Sequence, residues 1–132
     1  MNLKYCSILA IIILIGACKS ASLKKEGESL KTQVMALHDE TMANHGVIMT
    51  LASELKTKGQ DSALTNLTFL DSIRTELDGL NEDMMDWMSD FDDPETIDPQ
   101  SILYLKEQAD ILNKLKAMQV QNINLAKQLL GK

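Results

Sequence analysis

The sequence predicts an all-α fold, an antiparallel up-down-up bundle of three long helices preceded by a cleaved signal peptide. Three observations predict it. Apolar residues recur at spacings of three and four along three separate stretches, as the buried stripe of a helix requires. No stretch alternates apolar and polar residues with the period of two that a half-buried strand would show. Both prolines, Pro94 and Pro99, fall in one short segment, so the rest of the chain is free of helix breakers of that kind. Short connections between long helices favour antiparallel neighbours.

The chain opens with Met1-Asn2-Leu3-Lys4 and an apolar run from Ile8 to Ile15 that is too short to span a bilayer. The run closes as Leu14-Ile15-Gly16-Ala17-Cys18, which resembles the aliphatic-small-small-Cys box of bacterial lipoproteins. Small residues there admit the peptidase, and the Cys18 thiol accepts diacylglycerol. Residues 1–17 are therefore expected to be a lipoprotein signal peptide, and residues 18–28 a lipidated cysteine with a small, charged tether. A buried acyl chain contributes about 0.8 kcal/mol per CH₂, and the two or three chains of a lipoprotein hold it on a membrane essentially permanently. The expected location is the cell envelope, on the outer membrane, at its periplasmic face or the cell surface.

On that expectation Cys6 leaves with the cleaved segment and Cys18 is acylated, so no thiol would remain for a disulfide, a cysteine-based metal site or a thiol enzyme. The whole chain carries a formal charge of −6, and residues 1–17 contain Lys4 but no acid, so the mature chain is more acidic still. That balance argues against nucleic acid and against docking on anionic headgroups.

The bundle is expected over residues 29–131, with helices at about 29–58, 62–91 and 99–130. In the first, Leu30, Val34, Leu37, Ile48, Leu51 and Leu55 fall on one ladder, with Thr41 and Asn44 as its polar middle rungs. Gly59, after Lys56 and Lys58, is the expected stop. Asp61 or Ser62 caps the second helix, whose ladder is Leu67, Leu70, Ile73 or Arg74, Leu77, Leu80, Met84, Trp87 with Met88, and Phe91. It ends before Pro94, because proline pushes its predecessor out of helical geometry. The third opens with Asp98 as cap and Pro99 in the first turn, where a missing N–H costs nothing. Its rungs are Ile102, Leu105, Ala109, Leu112, Gln119, Ile123, Ala126 and Leu130, beside a second row of Ile111, Leu115, Met118, Leu125 and Leu129. Gly131 closes it.

Two stretches invite a functional reading. In the first helix Met35, His38, Met42, His45 and Met49 recur at spacings of 3, 4, 3 and 4, forming a stripe about 100° from the leucine ladder. In the second, Met84, Met85, Trp87 and Met88 crowd into an acidic segment. Thioether and imidazole together suit Cu(I), and the Trp87 face could add a cation–π contact. A hairpin turning at residues 59–61 pairs position i with about 120 − i, which brings Met35 toward Met85 and His38 toward Glu82 and Met85. Packing is the simpler reading, because methionine fills irregular apolar arcs well. Met84, Trp87 and Met88 read as core rungs, whereas Met85 is rotated toward Tyr104 and Gln108 or solvent.

Catalytic sets are weak. His38-Asp39-Glu40 occupies successive positions that point in different directions, and no nucleophile stands at helical spacing from it. There is no glycine-rich phosphate loop and no zinc-binding helix motif. The expectation is a non-enzymatic structural or protein-interaction module with an envelope protein as partner, the alternative being a binder of Cu(I) or another soft ion.

The run Met35-Ala-Leu-His38-Asp39-Glu40-Thr-Met42, the run Met84-Met85-Asp86-Trp87-Met88-Ser-Asp-Phe91, and Tyr104-Leu105 ahead of a Lys/Gln/Leu-rich helix resemble small lipoproteins of Bacteroidota that carry the label "viral A-type inclusion protein". The resemblance covers nearly all of the mature chain and implies a helical bundle, a lipid anchor and an envelope location. The family has methionine where this chain has His45, which keeps a side chain able to bind copper.

Overall fold

The computed structural model describes the backbone of residues 3–61 and 67–132 and the side chains of residues 20–60 and 68–132. Its elements are α1 (Leu3–Asp61), α2 (Leu67–Asp90) and α3 (Pro99–Leu130), and no strand occurs among the described residues. Each helix packs on the other two, and α2 and α3 touch one another least. The chain is an all-α three-helix bundle.

Pairings between the helices fix the up-down-up order. Lys31 of α1 binds Asp93 just beyond α2, and His38 meets Trp87, so α1 and α2 run antiparallel. Glu26 pairs with Lys106, Glu40 with Lys116 and Glu54 with Lys132, so α1 and α3 run parallel.

The ladders do the packing that their spacing predicts. Val34, Leu37, Leu80, Met84, Trp87, Leu105, Ala109, Leu112 and Leu115 form one buried cluster. Ile48, Leu51, Ala52, Leu55, Leu70, Ile73, Leu77, Ile123 and Ala126 form a second. Between them lies a polar level. Thr41 is fully buried and its hydroxyl donates to the carbonyls of Leu37 and His38, both at 2.8 Å, so a polar rung is tolerated inside the bundle. The Asn44 amide donates to Oε1 of buried Gln119 at 3.1 Å.

The ends of α3 follow from local chemistry. The Asp98 carboxylate accepts from the Ser101 N–H at 2.7 Å while the Ser101 hydroxyl accepts from the Asp98 N–H, a reciprocal cap ahead of Pro99. Gly131 takes the left-handed conformation, φ 76°, and its N–H reaches back to the Gln128 carbonyl.

Four expectations need correction. Gly59 does not stop α1, which continues to Asp61: Leu55 is in the core and Lys58 donates to the Leu129 carbonyl, so packing outweighs the small helix penalty of one glycine. The turn centre therefore moves, and His38 stands opposite Trp87, about five residues beyond the expected partner level. Residues 20–28 are not a loose tether. They are helical, Glu26 is paired with Lys106, and Gly27 is buried beneath Ile97, whose nearest methyl would lie 2.3 Å from an added Cβ. Finally, Met88 is not a core rung, because the inward face of α2 is filled by Met84 and Trp87. The lipobox Leu14 to Cys18 and the Leu67 rung lie outside the described side chains, as does the Asp61 cap position, and Ser62 lies outside the described backbone.

Candidate functional site

Helix α1 presents its Met/His stripe beside the core rather than in it. Met42 packs against the first apolar cluster, whereas Met35 and Met49 are about half exposed. On α2, Met84 is fully buried in the same cluster, and Met85 and Met88 are 48% and 40% exposed. The structure thus brings His38, Met42, Met84 and Trp87 around one apolar cluster and leaves Met35, Met49, Met85 and Met88 on the surface. With the later hairpin register, Met35 stands at the level of Asp90 rather than of Met85.

The two histidines differ. His38 lies 5.8 Å from Trp87 between ring centroids, and its Nδ1 meets the Asp39 carboxylate at 3.0 Å. His45 is half-buried, and its Nδ1 is enclosed with no hydrogen-bond partner among the described residues. Asn81 Oδ1 is enclosed without a partner in the same way, and the α1–α2 register puts it at the level of His45. Among the described residues no group of three or more His, Cys, Asp or Glu side chains could hold a metal, so any soft-ion site must draw on the thioethers.

Trp87 is the hub of an aromatic row. Phe91 stacks on it at 4.8 Å and Tyr104 on Phe91 at 6.1 Å. The indole N–H donates to Gln108 Oε1 at 2.8 Å, and the Tyr104 hydroxyl accepts from the Asp92 N–H at 2.9 Å. Tyr104 and Gln108 therefore serve Phe91 and Trp87 and not Met85, again because the hairpins close at a different register from the one expected.

Beyond Trp87 the facing surfaces of α2 and α3 part into an open groove of about 490 Å³. Ile111 and Met118 of α3 line it, 40% and 46% exposed, and Asp83, Asp86 and Asp90 of α2 stand along its other wall. Sequence reasoning noticed Ile111 and Met118 only as a second apolar row. The signal that was readable, three aspartates at i, i+3 and i+7, acquires meaning once α3 is known to lie across from them.

Among the described residues no helix is long and apolar enough to cross a membrane. Compared with family models, with curated proteins and with solved structures, the chain matches none of them.

Proposed function

We propose that the chain is a lipid-anchored protein of the bacterial cell envelope, akin to the small Bacteroidota lipoproteins it resembles, whose rod acts as a non-enzymatic structural or protein-interaction module. One observation carries the interaction reading: the core is filled, yet Ile111 and Met118 of α3, two turns apart on one face and lining one groove, remain open to solvent. Large apolar side chains gathered on an already folded surface mark interaction sites. The anchor reading rests on the box ending in Cys18. Helical continuity from residue 20 into the bundle makes the base a stalk, so an anchor at Cys18 would stand roughly 20 Å from Lys31 along the helix axis at 1.5 Å per residue.

Two measurements test this. Cells fed labelled palmitate incorporate it into the wild-type chain, and Cys18→Ser abolishes both labelling and membrane retention; labelling that survives the substitution removes the anchor. Short-reach crosslinking in intact cells yields a discrete adduct of the tagged chain, and a chain that crosslinks to nothing removes the interaction module.

A second reading, binding of Cu(I), is favoured by the His45 Nδ1, which has no partner among the described residues and lies between Met42 and Met49 on the stripe. Anaerobic titration with Cu(I) gives a stoichiometric change in Trp87 fluorescence on that reading, lost when His45 and Met49 are both replaced by Leu. A featureless titration eliminates it.

A further inference from the structure

The groove between α2 and α3 has a built-in asymmetry of charge. Trp87, Ile111 and Met118 give it an apolar strip, with Lys114 between the last two on the α3 wall, and its α2 wall carries Asp83, Asp86 and Asp90. Six other acids of the bundle are paired within the chain: Asp71 and Asp78 share Arg74, Asp93 binds Lys31, and Glu26, Glu40 and Glu54 each bind a lysine of α3 or the C-terminus. None of the three groove aspartates has an ion-pair partner among the described residues, and Lys114 is the one cation lining the groove there.

We propose that this groove docks an amphipathic helix of a partner protein, with aliphatic side chains on Trp87, Ile111 and Met118 and a lysine or arginine edge along Asp83, Asp86 and Asp90. The proposal rests on the interaction-module reading and names its partner. Asp83 to Asp90 and Ile111 to Met118 each span two helical turns, about 10 Å, so both walls address the same length of a bound helix. An apolar strip flanked by one row of like charge is the complement of such a helix. Methionine at the wall adapts to side chains of different shape. A second copy of this chain is the poorer occupant, because it would bring carboxylates against carboxylates in a chain of net charge −6.

The test uses the lipidated chain in protein-free vesicles of zwitterionic lipid and reads Trp87, the chain's only tryptophan. The probe is a blocked, tryptophan-free peptide of about 14 residues, roughly four turns, with leucines on one helical face and lysines elsewhere. The control peptide carries glutamate in place of lysine. A saturable fluorescence change is expected with the lysine peptide and none with the glutamate peptide. Binding should weaken about tenfold in D83N/D86N/D90N, the scale of three partly exposed charge pairs, and fall as salt shortens the screening length. Met118→Glu, at a half-exposed site, should abolish it with helical circular dichroism unchanged.

No saturable response, an equal response to the glutamate peptide, or unchanged affinity in D83N/D86N/D90N overturns the proposal. So does a dimer in sedimentation that Met118→Glu converts to monomer, since a second copy then fills the groove. The in-cell adduct separates the two levels of inference: an adduct undiminished in D83N/D86N/D90N overturns the groove and keeps the module, whereas loss of any adduct in the wild type overturns the module itself.

Discussion

The two apolar halves of the bundle are built from different side chains and meet the surface differently. The half near the α2–α3 connection contains Trp87 and Met84, with Phe91 and Tyr104 packed against it. The half toward Leu55 and Leu70 is aliphatic among its described members. Trp87 is buried yet lines the α2–α3 groove, so the aromatic half has a face that a partner can reach. The polar level of Thr41, Asn44 and Gln119 separates them. The difference assigns two tasks to one rod: the aliphatic half holds helices together, and the aromatic half also shapes a surface.

If the halves are distinct units of packing, losses in each should be independent. Leu112→Ala in the first cluster and Leu77→Ala in the second, both fully buried, should each cost about 2–5 kcal/mol in urea unfolding. The double variant should lose the sum to within about 0.5 kcal/mol, as separated sites do. A markedly non-additive pair would mean one continuous core.

The clasp at the base of the aromatic half comes next in size. Gly27→Ala places a methyl where Ile97 now sits and should destabilise by about 1–3 kcal/mol, the range for overpacking. Ile97→Ala added to it should restore part of the loss. An unperturbed Gly27→Ala melting curve would show that residues 20–28 are not held on the bundle.

The polar level can be probed by breaking a pair and then removing it. Asn44→Leu alone leaves the buried Gln119 amide without its partner and should cost about 1–3 kcal/mol, whereas Asn44→Leu with Gln119→Leu should be close to neutral. Equal losses in the single and double variants would show that the level contributes through shape and not through hydrogen bonding.

The smallest effect is at the Asp98 cap. The Ser101 N–H, and after it the Ser101 hydroxyl, holds the Asp98 carboxyl below the usual carboxylate range. A lowered folded-state pKa contributes stability that is present above the ordinary aspartate value, about 3.9, and is lost as pH falls through the depressed one. Asp98→Ala should therefore flatten the acid limb of the stability profile and leave its slope near neutrality unchanged. An identical acid limb in the variant would remove the cap's electrostatic role.

Much of the fold was legible because local chemistry decided it. The ladders of α2 and α3, the Asp98-Pro99 start and the Gly131 stop are fixed by spacing and capping. What escaped was set by contacts between helices. Gly59 reads as a stop in isolation but is overridden by Leu55 and Lys58, and that one slip shifted the register from which Met35 and Met85 were expected to meet. Residues 20–28 read as a tether because their partners, Ile97 and Lys106, lie some 70 or more positions away. Met88 looked like core because an apolar residue next to Trp87 cannot reveal which of the two turns inward.

The most direct test of the two-task division places a photo-activated crosslinking residue at Met118, on the groove, or at Phe69, exposed on α2 in the aliphatic half. In living cells the probe at Met118 should form a discrete adduct that diminishes in D83N/D86N/D90N, and the probe at Phe69 should form none. The same adduct from both positions, or one from Phe69 alone, would contradict the assignment of recognition to the aromatic half.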